Sequence, residues 1–173
     1  VVAIGQAAEL LQSLNDRSLP VPEPEWSVLK ADALVAVGET ASAETLYRSV
    51  LDGHPQHVRA TVGLALAAAI QGREQEALDL LARFLEVQPG AAEAWLLRGE
   101  ILSRASRYSE AQSAFEQASS ELGRGLGLPQ QLSALTGLAD AQLARGANDE
   151  ARATLQRMRS LAGGATQTRM ITA

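Results

Sequence analysis

The chain of 173 residues contains no cysteine, a single lysine and two histidines, and each scarcity removes a class of chemistry. Without cysteine there is no disulfide framework, no thiolate metal site and no cysteine nucleophile, and neither an oxidising nor a reducing compartment is excluded. The lone lysine is Lys30, so the glycines of ELGRGLGLPQQ (121–131) lack the Gly-Lys-Ser or Gly-Lys-Thr of a phosphate loop. That stretch reads instead as a flexible or distorted hairpin connection. His54 and His57 form an H-x-x-H pair, but Asp52 is the nearest acid, no third or fourth ligand is evident, and Pro55 between them argues for an exposed turn. No G-x-S-x-G occurs, and neither histidine has a serine and an acid to work with. No apolar run approaches the roughly 18 residues of a spanning helix. The opening VVAIGQAAELL lacks the basic start and cleavage pattern of a signal peptide. This segment is therefore expected to be soluble, with no direct membrane insertion. Fifteen basic against 20 acidic residues give a net charge of −5, which leaves no basic face for phosphates, so nucleic acid is not the expected partner. No enzyme, cofactor or metal is expected.

What the sequence has is apolar content, 46% of residues, and self-similarity. Shifting it by 34 residues lays PEWSVLKADALVAVGETASAETLYRSVLDGHP over VRATVGLALAAAIQGREQEALDLLARFLEVQPG with small residues in step. Four units, numbered from Pro24, Val58, Ala92 and Leu132, align in columns. The last falls into step only when six extra residues are allowed near 121–131. Position 8 holds Ala31, Ala65, Gly99 and Ala139, and position 20 holds Ala43, Ala77, Ala111 and Ala151. Position 15 holds Gly38, Gly72 and Gly146, with Ser106 the exception. Apolar residues at helical spacing on either side of position 15 predict two helices per unit, joined by a glycine turn through positive φ. Helices joined so tightly must approach closely, and positions 8 and 20 supply residues without bulk where the axes cross.

These columns, with Trp95 at position 4, Tyr47 and Phe115 at 24, and Pro55 and Pro89 at 32, resemble the tetratricopeptide repeat. The resemblance implies an all-α fold, a right-handed superhelical solenoid of antiparallel helix pairs. It divides the chain into a partial repeat (1–23), repeats at 24–57, 58–91, 92–131 (with an extended end) and 132–165, and the start of a further repeat (166–173). Counting backwards puts Gly5 at position 15, Glu9 at 19 and Pro22 at 32. A chain that begins and stops inside repeats is expected to be a segment of a longer solenoid. Position 7, usually Leu in the family, is Lys30 and Arg98 in the odd units, whereas the even units read Gly63-Leu64 and Gly137-Leu138 at 6 and 7. Positions 24 and 27 alternate likewise: Tyr47 with Val50 and Phe115 with Ala118, against Leu81 with Phe84 and Leu155 with Met158. Such alternation is similar to that of long bacterial tetratricopeptide proteins of exopolysaccharide and protein-sorting systems, some of them lipoproteins. That resemblance implies the cytoplasm or periplasm, with a lean to the periplasm.

If positions 4, 8 and 11 of the first helix face inward, positions 2, 5, 9 and 12 form a stripe on another face. In the family that stripe lines a concave groove. Here the groove stripe, with positions 12 and 13 read together, comprises Val28, Asp32, Val35, Val62, Leu66, Ile70, Leu96, Glu100, Arg104, Thr136, Asp140 and Leu143. It is apolar with intermittent acids. Family members that grip a terminal carboxylate use Lys, Arg and Asn there, and only Arg104 could serve. The partner implied is a protein or peptide segment, mainly apolar with some basic character. A homo-oligomer, a self-assembly module or a structural spacer in a larger protein is the alternative. Glu9, Glu76, Glu110 and Glu150 at position 19 complement a helix N-terminus.

Overall fold

The computed structural model describes residues 2–16, 21–120 and 126–171, with the side chains of 2–4 and 164–171 left aside. Every regular element among them is a helix: α1 (Val2–Asn15), α2 (Glu25–Ala36), α3 (Thr40–Gly53), α4 (Val58–Ile70), α5 (Glu74–Val87), α6 (Ala92–Arg104), α7 (Tyr108–Ser119), α8 (Leu128–Ala144) and α9 (Asn148–Ile171). They form two compact units, residues 1–88 and 89–173. In the first, α2 pairs with α3 and α4 with α5, α3 and α2 both lie against α4, and α1 packs on α2. In the second, α6 pairs with α7 and α8 with α9, while α7 and α6 both lie against α8.

All four hairpins turn by the same device. The amide three residues past the end of the first helix reaches back to a carbonyl inside it: Glu39 to Leu34 (2.8 Å), Arg73 to Ala68, Arg107 to Leu102 and Ala147 to Gln142 (each 2.9 Å). This bond requires a left-handed residue just before the donor, and Gly38, Gly72 and Gly146 take φ of 89°, 78° and 77°. Ser106 takes φ 59° at the same place, so the exception in the sequence obeys the geometry and carries the strain. The small columns sit where the helices meet. Ala43, Ala77 and Ala111 have no exposed surface, and Ala31 and Ala65 likewise none.

The alternation between odd and even units has a packing cause. Tyr47 of α3 presses into the backbone of α4 at Gly63, where a Cβ would stand 2.3 Å from the ring. Phe115 of α7 presses into α8 at Gly137 and into its own partner α6 at Gly99, where Cβ atoms would stand 2.4 and 2.6 Å away. The aromatic at position 24 and the glycine at position 6 of the next unit are two halves of one contact. The unusual Lys30 and Arg98 at position 7 stack on Trp26 and Trp95, at 5.1 and 5.5 Å from the ring centres.

Three boundaries differ from expectation. Gly5 lies inside α1, so it forms no turn and Glu9 is not in a first helical turn. The inserted segment is partly helical: Leu128–Gln131 add a turn to the front of α8, begun by Pro129, whose missing N–H costs nothing at a helix start; residues 121–125 lie outside the described set. Finally, α9 passes through Gly163 and Gly164 to Ile171 without a break, so the boundary expected between 165 and 166 falls inside a helix. Glycine permits a left-handed turn but does not impose one.

Candidate functional site

The expected groove column divides between the two units, six residues in each. In the first, Val28 is 1% exposed and belongs to the core with Ala31, Tyr47, Val50 and Leu64. In the second, Leu96 is 9% exposed. Both are removed from the candidate surface. Position 5 lies three residues before position 8, on the same helical face as the small column, and in α2 and α6 the neighbouring helices cover it. Thr136, at that position of α8, is exposed and donates to the Leu132 carbonyl (2.9 Å), with its hydroxyl also 3.5 Å from Met158 Sδ. Val35, Val62 and Leu66 are half-buried, and Val35 packs against the core cluster. Ile70 and Leu143 stand out, 51% and 49% exposed. Arg104 and Asp140 are exposed, and Glu100 is half-buried.

The three acids at position 9 have different surroundings. Asp32 accepts the Tyr47 hydroxyl (2.5 Å) and pairs with Arg59 (2.5 Å). It is tied into the joint between α2, α3 and α4, a role the sequence reading missed. Burial and the neighbouring Asp32 push the Tyr47 phenol far up, so it stays a donor. Among the described residues Glu100 has neither a hydrogen-bond donor nor an ion-pair partner. Burial pushes its carboxyl above the usual carboxylate range, against the opposing pull of Arg104. Asp140 is open to water.

His57 Nδ1 accepts the Ala60 amide at the start of α4 (3.2 Å), so this ring is a helix cap. Among the described residues no group of three or more His, Cys, Asp or Glu could hold a metal ion, and no helix is long and apolar enough to cross a membrane.

A second concavity lies elsewhere. In the first unit a cleft of about 590 Å³ opens between the second helices α3 and α5, with Thr61, Leu64 and Ala68 of α4 as its floor. Leu51, Leu80 and Phe84 wall it, and Val87 stands 63% exposed at its edge. Its sequence signal was the lone alanine at position 11, where the second unit has Gln142.

Helical hairpins repeated at one period, each closed by the same left-handed turn, define a helical-repeat protein. Tetratricopeptide repeat profiles match residues 28–85, 75–118 and 102–167, and the chain belongs to that family. Among solved structures it is similar to a thermophilic tetratricopeptide protein of Thermus thermophilus (TM-score 0.71, 20% identity, 98% of this chain and 90% of that one). It is also similar to MamA from Desulfovibrio magneticus (TM-score 0.66, 19% identity, 92% and 88%). A third likeness is the Sgt2 tetratricopeptide domain of Aspergillus fumigatus (TM-score 0.63, 21% identity, 76% and 84%). At these identities the likeness is one of fold. No curated protein sequence matches the chain.

Proposed function

We propose that this chain is a non-catalytic binding module that holds a segment of a protein partner on the face of its first helices. The observation that carries this reading is a half-exposed aliphatic side chain on a first helix of each unit, Ile70 in the first and Leu143 in the second, where the exposed acid Asp140 lies one turn before Leu143 on α8. An apolar contact of this kind supplies burial, and acids beside it attract a segment with basic character.

The cleft between α3 and α5 supports a second reading, in which a partner docks on the second-helix side of the first unit. Photo-crosslinking residues placed singly at Ile70, Leu143 and Val87 separate the two in cells of the source organism. Adducts from Ile70 and Leu143 but not Val87 support the first-helix face. Adducts from Val87 alone move the site to the cleft. No adducts, with light scattering showing association that grows with concentration, favour the self-assembly alternative.

A further inference from the structure

The two units carry the same joint twice, and the first shows what the second lacks. At position 9 of the first unit's leading repeat, Asp32 has two donors: the hydroxyl of Tyr47 at position 24 of its own repeat, and the guanidinium of Arg59 at position 2 of the next. The corresponding residues around Glu100 are Phe115, which has no hydroxyl, and Ser133, which has no charge. Glu100 is half-buried like Asp32, yet neither donor is replaced among the described residues. Arg104, one turn along α6, is exposed and forms no ion pair with it. A partly buried carboxylate with no ion-paired cation is an energetic cost that the distant pull of Arg104 offsets only in part.

We infer that Glu100 is the anchor for an arginine of the bound segment, whose guanidinium takes the place against Glu100 that Arg59 takes against Asp32. The inference rests on the proposed binding role and adds the chemistry of the residue recognised. Arginine is favoured over lysine because the internal counterpart is a guanidinium, whose planar fork matches a carboxylate and sheds water more readily. Desolvation, which raises the Glu100 carboxyl, also strengthens its attraction for a cation once one arrives.

The test uses the full chain and two short synthetic peptides of alanine and leucine, one with a central arginine and one with citrulline, its uncharged isostere. Fluorescence anisotropy should show the arginine peptide binding about tenfold more tightly to the wild-type chain. Glu100→Gln should erase that preference, and Asp149→Asn, at the exposed start of α9, should leave it intact. Ser133→Arg should erase it too, by supplying from within the cation that Arg59 supplies in the first unit. Carbon-13 NMR of the Glu100 carboxyl should report a lowered pKa both in Ser133→Arg and when the arginine peptide is added to the wild type. The idea is overturned by equal binding of the two peptides, by a preference that survives Glu100→Gln, or by one that emerges only after Arg104→Gln, which would make Arg104 the occupant. Equal binding that is still weakened by Ile70→Asp or Leu143→Asp removes Glu100 and keeps the first-helix face. Failure of both peptides to bind removes the inference together with the reading beneath it.

Discussion

At position 21 of the repeat the first unit has Glu44 and the second has Gln112, and both reach from one hairpin to the next. Glu44 accepts from Arg48 on its own helix (2.5 Å), and from Arg73 (2.6 Å) and Gln71 (3.3 Å) of the following repeat. Gln112 accepts from Arg145 and donates to Glu116 (2.8 Å) and to Glu150 (3.2 Å). At position 14 the exchange is reciprocal, with Gln71 facing the carboxylate and Arg145 facing the amide. The joint needs a complementary pair across it, and either arrangement provides one. The second unit adds a polar contact beneath, the Thr154 hydroxyl donating to Gln142 (2.8 Å), both side chains buried. The first unit has Leu80 and Ala68 at those two positions, and both line its cleft. The amide that bonds Thr154 is bulk that Ala68 does not supply, so the cleft and the polar pair are alternative contents of one position.

The aromatic contacts give the sharpest way to break this comparison. Gly63→Ala and Gly137→Ala should each destabilise by about 1–3 kcal/mol in denaturant unfolding, because the added methyl meets a buried ring that has nowhere to move. Gly63→Ala should cost more in a chain that keeps Tyr47 than in Tyr47→Leu, which restores the even-unit pattern. Equal costs in the two backgrounds would separate the ring from the glycine.

A smaller and opposite effect belongs to the turns. Ser106→Gly should stabilise by about 1 kcal/mol, since it relieves a left-handed serine where the other three turns have glycine. A variant no more stable than wild type would mean that the left-handed conformation costs Ser106 little.

The smallest effect distinguishes the charged joint from the neutral one. Hydrogen bonds from Arg48 and then Arg73 hold the Glu44 carboxyl down at about 2, from an ordinary 4.5. A carboxyl whose folded pKa is depressed stabilises the fold above its unfolded pKa, and that contribution fades as pH falls from about 4.5 through about 2. Wild-type Tm should therefore drop more steeply across that window than the Tm of Glu44→Gln. Parallel curves would place the acid sensitivity elsewhere.

The period of 34, the small columns at positions 8 and 20 and the turn at position 15 could be read from the chain, because each is a local demand that recurs in every unit: a helix needs its spacing, a crossing needs room, a left-handed turn prefers glycine. Even the alternation of Tyr47 and Phe115 with Gly63 and Gly137 was visible as a pattern, though not as a contact. What the tertiary structure alone decided is which groups meet. Asp32 read as a free acid because its donors, Tyr47 and Arg59, come from other helices, and only the packing of α2, α3 and α4 brings them to it. Val28 and Leu96 read as surface because one helical wheel admits several inward faces, and the neighbouring helices select one. The repeat count read a boundary between 165 and 166 because a fixed period carries no information on where a helix stops, but α9 runs on to Ile171. Local periodicity specifies the elements and their spacing; the pairing of side chains across helices is set by how those elements dock, so Glu100 and Asp32 share a column in the sequence and differ in the fold.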